Sequence, residues 1–179
     1  MSVNLNSKNK LLNKKELQYA LNNFASIVKN VEHFENNWDY ISNLPQDIQM
    51  LTVTGYYVSL ASLIRNSHKN GFDYTKIFKL WEEAIKENHE YLEQNKGLKH
   101  NITVLKKWEK SLEYEMKHVL TIRNRYFGHI DFVEENFLLN HFKSKDRIQQ
   151  YDLSKFFRKM IDVIHDYSLA VLKEYNQTN

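Results

Sequence analysis

The chain has 179 residues, a formal charge of +3, 42% hydrophobic and 13% aromatic residues, and no cysteine. This composition excludes global disorder, a disulfide framework and any thiolate chemistry. The mild basicity permits a polyanionic partner without requiring one. One proline and four glycines leave little material for strands and tight turns, so an all-α fold of one domain is expected.

Residues 1–12 read as a flexible arm, Asn- and Lys-rich, without the apolar run of a signal peptide. The bundle domain is expected over 13–176. Asn13 suits the cap of a first helix running to about Asn37. Its apolar positions Leu17, Leu21, Phe24, Ile27, Val28, Val31 and Phe34 follow steps of three and four. Trp38 to Pro45 reads as a connection. A second helix is expected from about Asp47 to His68. Ile48, Leu51, Tyr56, Val58, Leu60, Leu63 and Ile64 leave it few polar faces, which predicts a central position in a bundle. Ile48 to Ile64 carries no formal charge. The run is shorter than the roughly 20 apolar residues of a membrane span and contains Gln, Thr, Ser and Gly. A soluble, cytoplasmic protein without membrane contact is therefore expected. Gly55 inside this helix predicts a close helix–helix approach.

Asn70-Gly71 signals a turn, and Asp73 should cap a third helix to about Asn95 with Tyr74, Ile77, Phe78, Trp81, Ile85, His89 and Leu92 inward. Gly97 is expected to close it. Asn101 is the candidate cap of a fourth helix carrying Ile102, Leu105, Trp108, Leu112, Met116, Val119 and Leu120, with Gly128 at its end. Residues 133–151 read as irregular or briefly helical. Asp152 suits the cap of a last helix with Leu153, Phe156, Phe157, Met160, Ile164, Tyr167, Val171 and Leu172 on one face. The expected architecture is a bundle of about five helices.

The chemistry concentrates where the fourth helix turns polar. Arg123 stands four beyond Val119, where the next apolar residue is due, and Asn124, Arg125, Tyr126, Phe127, Gly128, His129 and Asp131 follow. Arginine presents a fork of donors to phosphate oxygens. Imidazole is the side chain best suited to proton transfer near neutrality. Asn124 can orient either a ligand or the histidine. A cation beside a titratable base, without a nearby carboxylate cluster for a metal, suits cleavage of RNA with the ribose 2′-hydroxyl as nucleophile. On a continuous helix Arg123 and His129 would lie about 120° apart and about 9 Å along the axis. Arg125 shares a face with His129. Either Arg125 is the partner, or the helix breaks near Gly128 and His129 turns toward Arg123.

The run Arg123-Asn124-Arg125-Tyr126-Phe127-Gly128-His129 resembles the signature of HEPN domains, an arginine and a histidine separated by four to six residues, the first of them polar. It looks especially like the HEPN ribonucleases of bacterial abortive-infection and toxin systems. The resemblance implies a bundle of four to five helices and a homodimer in which the arginines and histidines of both protomers meet. It also implies metal-independent endoribonuclease activity without a cofactor, a role as a toxin or in phage defence, and a possible antitoxin or regulatory partner. Carried onto this chain, the catalytic residues are Arg123, His129 and Asn124, with Arg125, Tyr126 and Asp131 as candidates for holding the RNA substrate. Asp131 stands where members regulated by nucleotidyl transfer carry a tyrosine, so that control is not expected. Arg158 and His165, with six residues between, also fit the signature's spacing but lack the asparagine and lie on an amphipathic helix, and they are read as scaffold.

Other features are read as structural. Glu115-Met-Lys-His118 is a Glu-x-x-His step of the kind di-iron bundles use in pairs, but the nearest second, Asp162-Val-Ile-His165, has the wrong acid. Trp38, Trp81 and Trp108 follow helical stripes and are expected in the core. Lys8 to Lys15 reads as a solvated arm. The competing functional reading is a non-catalytic helical module that binds RNA or a partner protein.

Overall fold

The computed structural model describes residues 5–65, 72–87, 96–127 and 146–177; for 5–14, 87, 125–127, 146–151 and 168–177 this is the backbone. Among the described residues there are seven helices and no strand: α1 (Leu5–Asn36), α2 (Trp38–Ile41), α3 (Gln46–Ile64), α4 (Tyr74–Glu87), α5 (Lys96–Ser111), α6 (Glu113–Phe127) and α7 (Asp146–Gln177). The all-α expectation is met.

Helix α1 is the axis of the molecule. Leu17, Leu21, Phe24, Val28, Val31 and Phe34 are buried, and the residues between them are largely solvated. It packs against α3, α4 and α7. The helix begins at Leu5 rather than Asn13, so residues 5–12, expected as an arm, continue it. No glycine or proline stands there to stop propagation. The connection after α1 holds the single turn α2. Pro45, extended at φ −50° and ψ 147°, is the N-cap of α3. Gln49 fixes this corner by donating from Nε2 to the carbonyls of Ser42 (3.0 Å) and Leu44 (2.6 Å).

Helix α3 buries Val53, Tyr56, Tyr57, Leu60, Ala61, Leu63 and Ile64 and ends at Ile64, where Arg65 turns extended. Ile48, Leu51 and Val58, expected in the core, are exposed instead. A helix apolar all round was read as central, but only one side of α3 meets the bundle. Gly55 is exposed, and a Cβ there would meet no atom within 4 Å. No close approach among the described residues explains this glycine, which weakens the helix by about 1 kcal/mol relative to alanine.

Asp73 caps α4 as expected. Its Oδ1 accepts from the Thr75 hydroxyl (2.6 Å) and the Lys76 amide (3.0 Å). Ile77, Phe78, Trp81 and Ala84 face inward. His89 and Leu92 lie outside the described residues. The fourth expected helix differs at both ends of its first half. Helix α5 begins at Lys96 and runs through Gly97 and Asn101, so neither is a boundary. It stops at Ser111, and α6 resumes at Glu113 after Leu112 alone. The Leu112 amide is shared between the carbonyls of Trp108 and Glu109 (3.2 and 3.1 Å). Because Leu112 is itself buried, the interruption leaves the apolar stripe unbroken. Helix α7 starts at Asp146, before the expected cap at Asp152.

The core is aromatic. Phe24 meets Phe157 edge-on (5.5 Å between centroids), Phe34 stacks on Tyr56 (4.5 Å), and Trp108 meets Phe156 (5.8 Å). Trp38 and Trp81 are buried and Trp108 packs against the core, so all three tryptophans are structural. The Tyr167 hydroxyl donates to the Ala84 carbonyl (2.9 Å), joining α7 to α4. No described helix is long and apolar enough to cross a membrane.

Candidate functional site

Helix α6 packs against α3 and α7, with Met116, Val119 and Ile122 buried. Ile122 takes the apolar position that the stripe requires after Val119. Arg123, about 100° further round, emerges at the edge of this face and is partly buried.

Arg123 is held on two sides. Its Nε and Nη2 both donate to Oδ1 of Asn124, at 3.2 and 3.0 Å. Its Nη1 donates to the Arg65 carbonyl at 3.4 Å, a long bond that joins the end of α6 to the end of α3. That carbonyl lies at a helix C-terminus, where the peptide dipoles place partial negative charge and favour a cation. Of the five N–H donors of a guanidinium, three are engaged by these two acceptors among the described residues. Asn124 therefore orients the arginine, a third role beside the ligand and the histidine weighed from the sequence. A neutral amide does so without cancelling the arginine's charge, as a carboxylate would.

Arg125, Tyr126 and Phe127 lie on the last turn of α6, which is helical through Phe127. The side chains of Arg125 and Tyr126, and all of Gly128, His129 and Asp131, lie outside what is described, as does the choice between Arg123 and Arg125 as the partner of His129.

The other candidates behave as scaffold. Arg158 on α7 donates from Nε to Glu32 Oε1 of α1 (2.8 Å) and from Nη2 to Glu32 Oε2, while His165 is exposed. The His118 ring lies parallel to Tyr114, 6.3 Å between centroids. Glu115 Oε2 is buried without a hydrogen-bond partner among the described residues. Among those residues no three acidic, histidine or cysteine side chains gather as a metal site.

A second polar cluster escaped the sequence reading. Glu35 of α1 accepts from the Tyr56 hydroxyl of α3 (2.9 Å) and the Ser154 hydroxyl of α7 (2.6 Å). Burial pushes its carboxyl up to about 7, against the lowering effect of those two bonds; Glu32 adds to the rise and Lys155 opposes it. Together with the Glu32–Arg158 pair, it ties three helices through charged and hydroxyl groups. The signal was present: Glu35 lies on the stripe Val28–Val31–Glu35, and Ser154 lies between Leu153 and Phe156. Tyr74 is also perturbed, pushed up to about 12 by burial and then by Glu109, which removes it from proton transfer near neutrality.

No protein-family model, curated protein or solved structure matches the chain.

Proposed function

We propose that the protein is a metal-independent endoribonuclease of HEPN type, acting as a homodimer in a toxin or phage-defence role. The observation that carries this reading is the run from Arg123 to His129, together with the tether of Arg123 by Asn124. The two residues that open the resemblance to the HEPN signature act on each other. Positioned arginine is worth most where charge develops in a transition state.

In the proposed reaction His129 takes the proton of a ribose 2′-hydroxyl, whose oxygen attacks the adjacent phosphorus. The 5′-oxygen leaves and receives a proton, from the second His129 of the dimer in the composite site that the resemblance implies. Arg123 neutralises charge on the equatorial phosphoryl oxygens. The products are a 2′,3′-cyclic phosphate and a 5′-hydroxyl. Arg125, Tyr126 and Asp131 contact the RNA, and a regulatory protein keeps the activity in check. The defence role rests on the resemblance alone.

Replacing His129 with alanine should lower RNA cleavage by about 10²–10⁴-fold, and Arg123→Ala by about 10²–10³-fold, with helical circular dichroism unchanged. Equal cleavage by wild type and both variants would sink the assignment. The second reading, a non-catalytic module binding RNA or protein, is favoured by the contact of Arg123 with the Arg65 carbonyl, which gives that side chain a structural task. On that reading His129→Ala changes affinity slightly and there is no cleavage to lose.

A further inference from the structure

Helix α3 is apolar on two faces, and the bundle covers one. On the other, Ile48, Leu51 and Val58 are 42%, 71% and 44% exposed. With Gly55 and Ser62 they recur at alternating steps of three and four, the seam positions of a two-helix coil. Gly55 lies in the middle of this seam with open space where a Cβ would be. A glycine there weakens the helix and serves no contact among the described residues, but it lets a second backbone come close.

We propose that this face is where a second copy of the chain docks, α3 against α3 in parallel, with the two Gly55 residues at the point of closest approach. Three observations select a second copy. The seam carries no formal charge from Ile48 to Ile64 on a chain of net charge +3, so identical surfaces meet there without opposing like charges, and a polyanion finds nothing to grip. The heptad spacing is self-complementary: a parallel two-fold sets Leu51 against Leu51 and Val58 against Val58. The seam also runs about 26 Å to Arg65, whose carbonyl accepts from Arg123.

The last point fixes the orientation and rests on the ribonuclease reading above. Parallel pairing brings both Arg65 carbonyls, and the two guanidiniums they hold, to the same end of the dimer. An antiparallel crossing at Gly55 would leave the two ends of α3 about 30 Å apart, too far for one composite site.

The chain has no cysteine, so an introduced thiol is the only one present. Leu51→Cys and Val58→Cys, oxidised separately, should each form a disulfide-linked dimer. Val104→Cys, on exposed α5, should not. By sedimentation the wild type should be a dimer. Leu51→Glu should weaken the association by about 100-fold or more, since it sets two like charges opposite each other in a desolvated seam. Because Leu51 is exposed in the single chain, its helical spectrum should not change. Val58→Glu repeats the test at a second position. A monomeric wild type would overturn the proposal. So would a dimer that neither glutamate disturbs, or one in which Gly55→Cys cross-links to itself while Leu51→Cys and Val58→Cys do not. RNA cleavage is read in the same preparations. A seam dimer without cleavage overturns the ribonuclease reading and leaves the interface standing; a dimer that cleaves RNA and that neither glutamate disturbs does the reverse.

Discussion

Replacing Glu35 with glutamine removes a buried charge while keeping two hydrogen-bonding groups in place. The glutamine oxygen can accept from one neighbouring hydroxyl, and its amide can donate to the other. In the wild type, Glu35 has a folded-state pKa of about 7 against an ordinary value of 4.5, chiefly because burial penalises the carboxylate. The folded state therefore holds the proton more tightly than the unfolded chain. Its stabilising contribution is complete below pH 4.5 and is lost as pH rises through 7. A shift of 7 − 4.5 = 2.5, at about 1.4 kcal/mol for each unit, sets the loss at about 3 kcal/mol. Urea unfolding at pH 5 and pH 8 measures it. All other titrating groups are common to both proteins, so the wild type should lose about 2–3 kcal/mol more than Glu35→Gln between the two pH values. The variant should be the more stable protein at pH 8. Parallel pH profiles for the two proteins would refute the reasoning, because they would mean that Glu35 titrates alike in the folded and unfolded chain.

Three further outcomes follow from the packing. Phe157 is fully buried against Phe24, Tyr74 and Phe156; Phe157→Ala should cost about 3–5 kcal/mol in denaturant unfolding. Glu32→Gln breaks the paired geometry with Arg158, whose side chain is 39% exposed, so solvent screening should hold its cost to about 1 kcal/mol. Asn124→Ala frees the Arg123 fork at an exposed position. It should change stability by less than about 0.5 kcal/mol, yet slow RNA cleavage at least tenfold, raising the Michaelis constant little.

The fold class was legible because apolar residues at steps of three and four, with almost no glycine or proline, leave helices as the only economical solution. The Asp73 cap was legible for the same local reason: an aspartate directly ahead of an amphipathic run has amides to accept from. The division at Leu112 was not. The interruption falls on a buried leucine, so the stripe continues and no breaker residue marks it. Gly97 and Asn101 misled because a glycine in a first turn and an asparagine on a helix surface cost too little to set a boundary. Helix α3 shows the limit of periodicity. A helix apolar all round reads the same whether the bundle or another surface covers its second face, and only Gly55, with open space beside it, separates the two. For the candidate site, the rule that drew attention to Arg123, a polar residue due on an apolar stripe, applies equally to Glu35 and Ser154. They were missed because they stand far apart in sequence, and only the packing of α1 on α7 brings them together.

The most direct test of the ribonuclease assignment is RNA cleavage in excess EDTA, with the ends of the products identified and wild type compared with His129→Ala from identical purifications. The account predicts cleavage by the wild type alone, leaving 2′,3′-cyclic phosphate and 5′-hydroxyl ends. Cleavage that EDTA abolishes, or that His129→Ala retains in full, would contradict it.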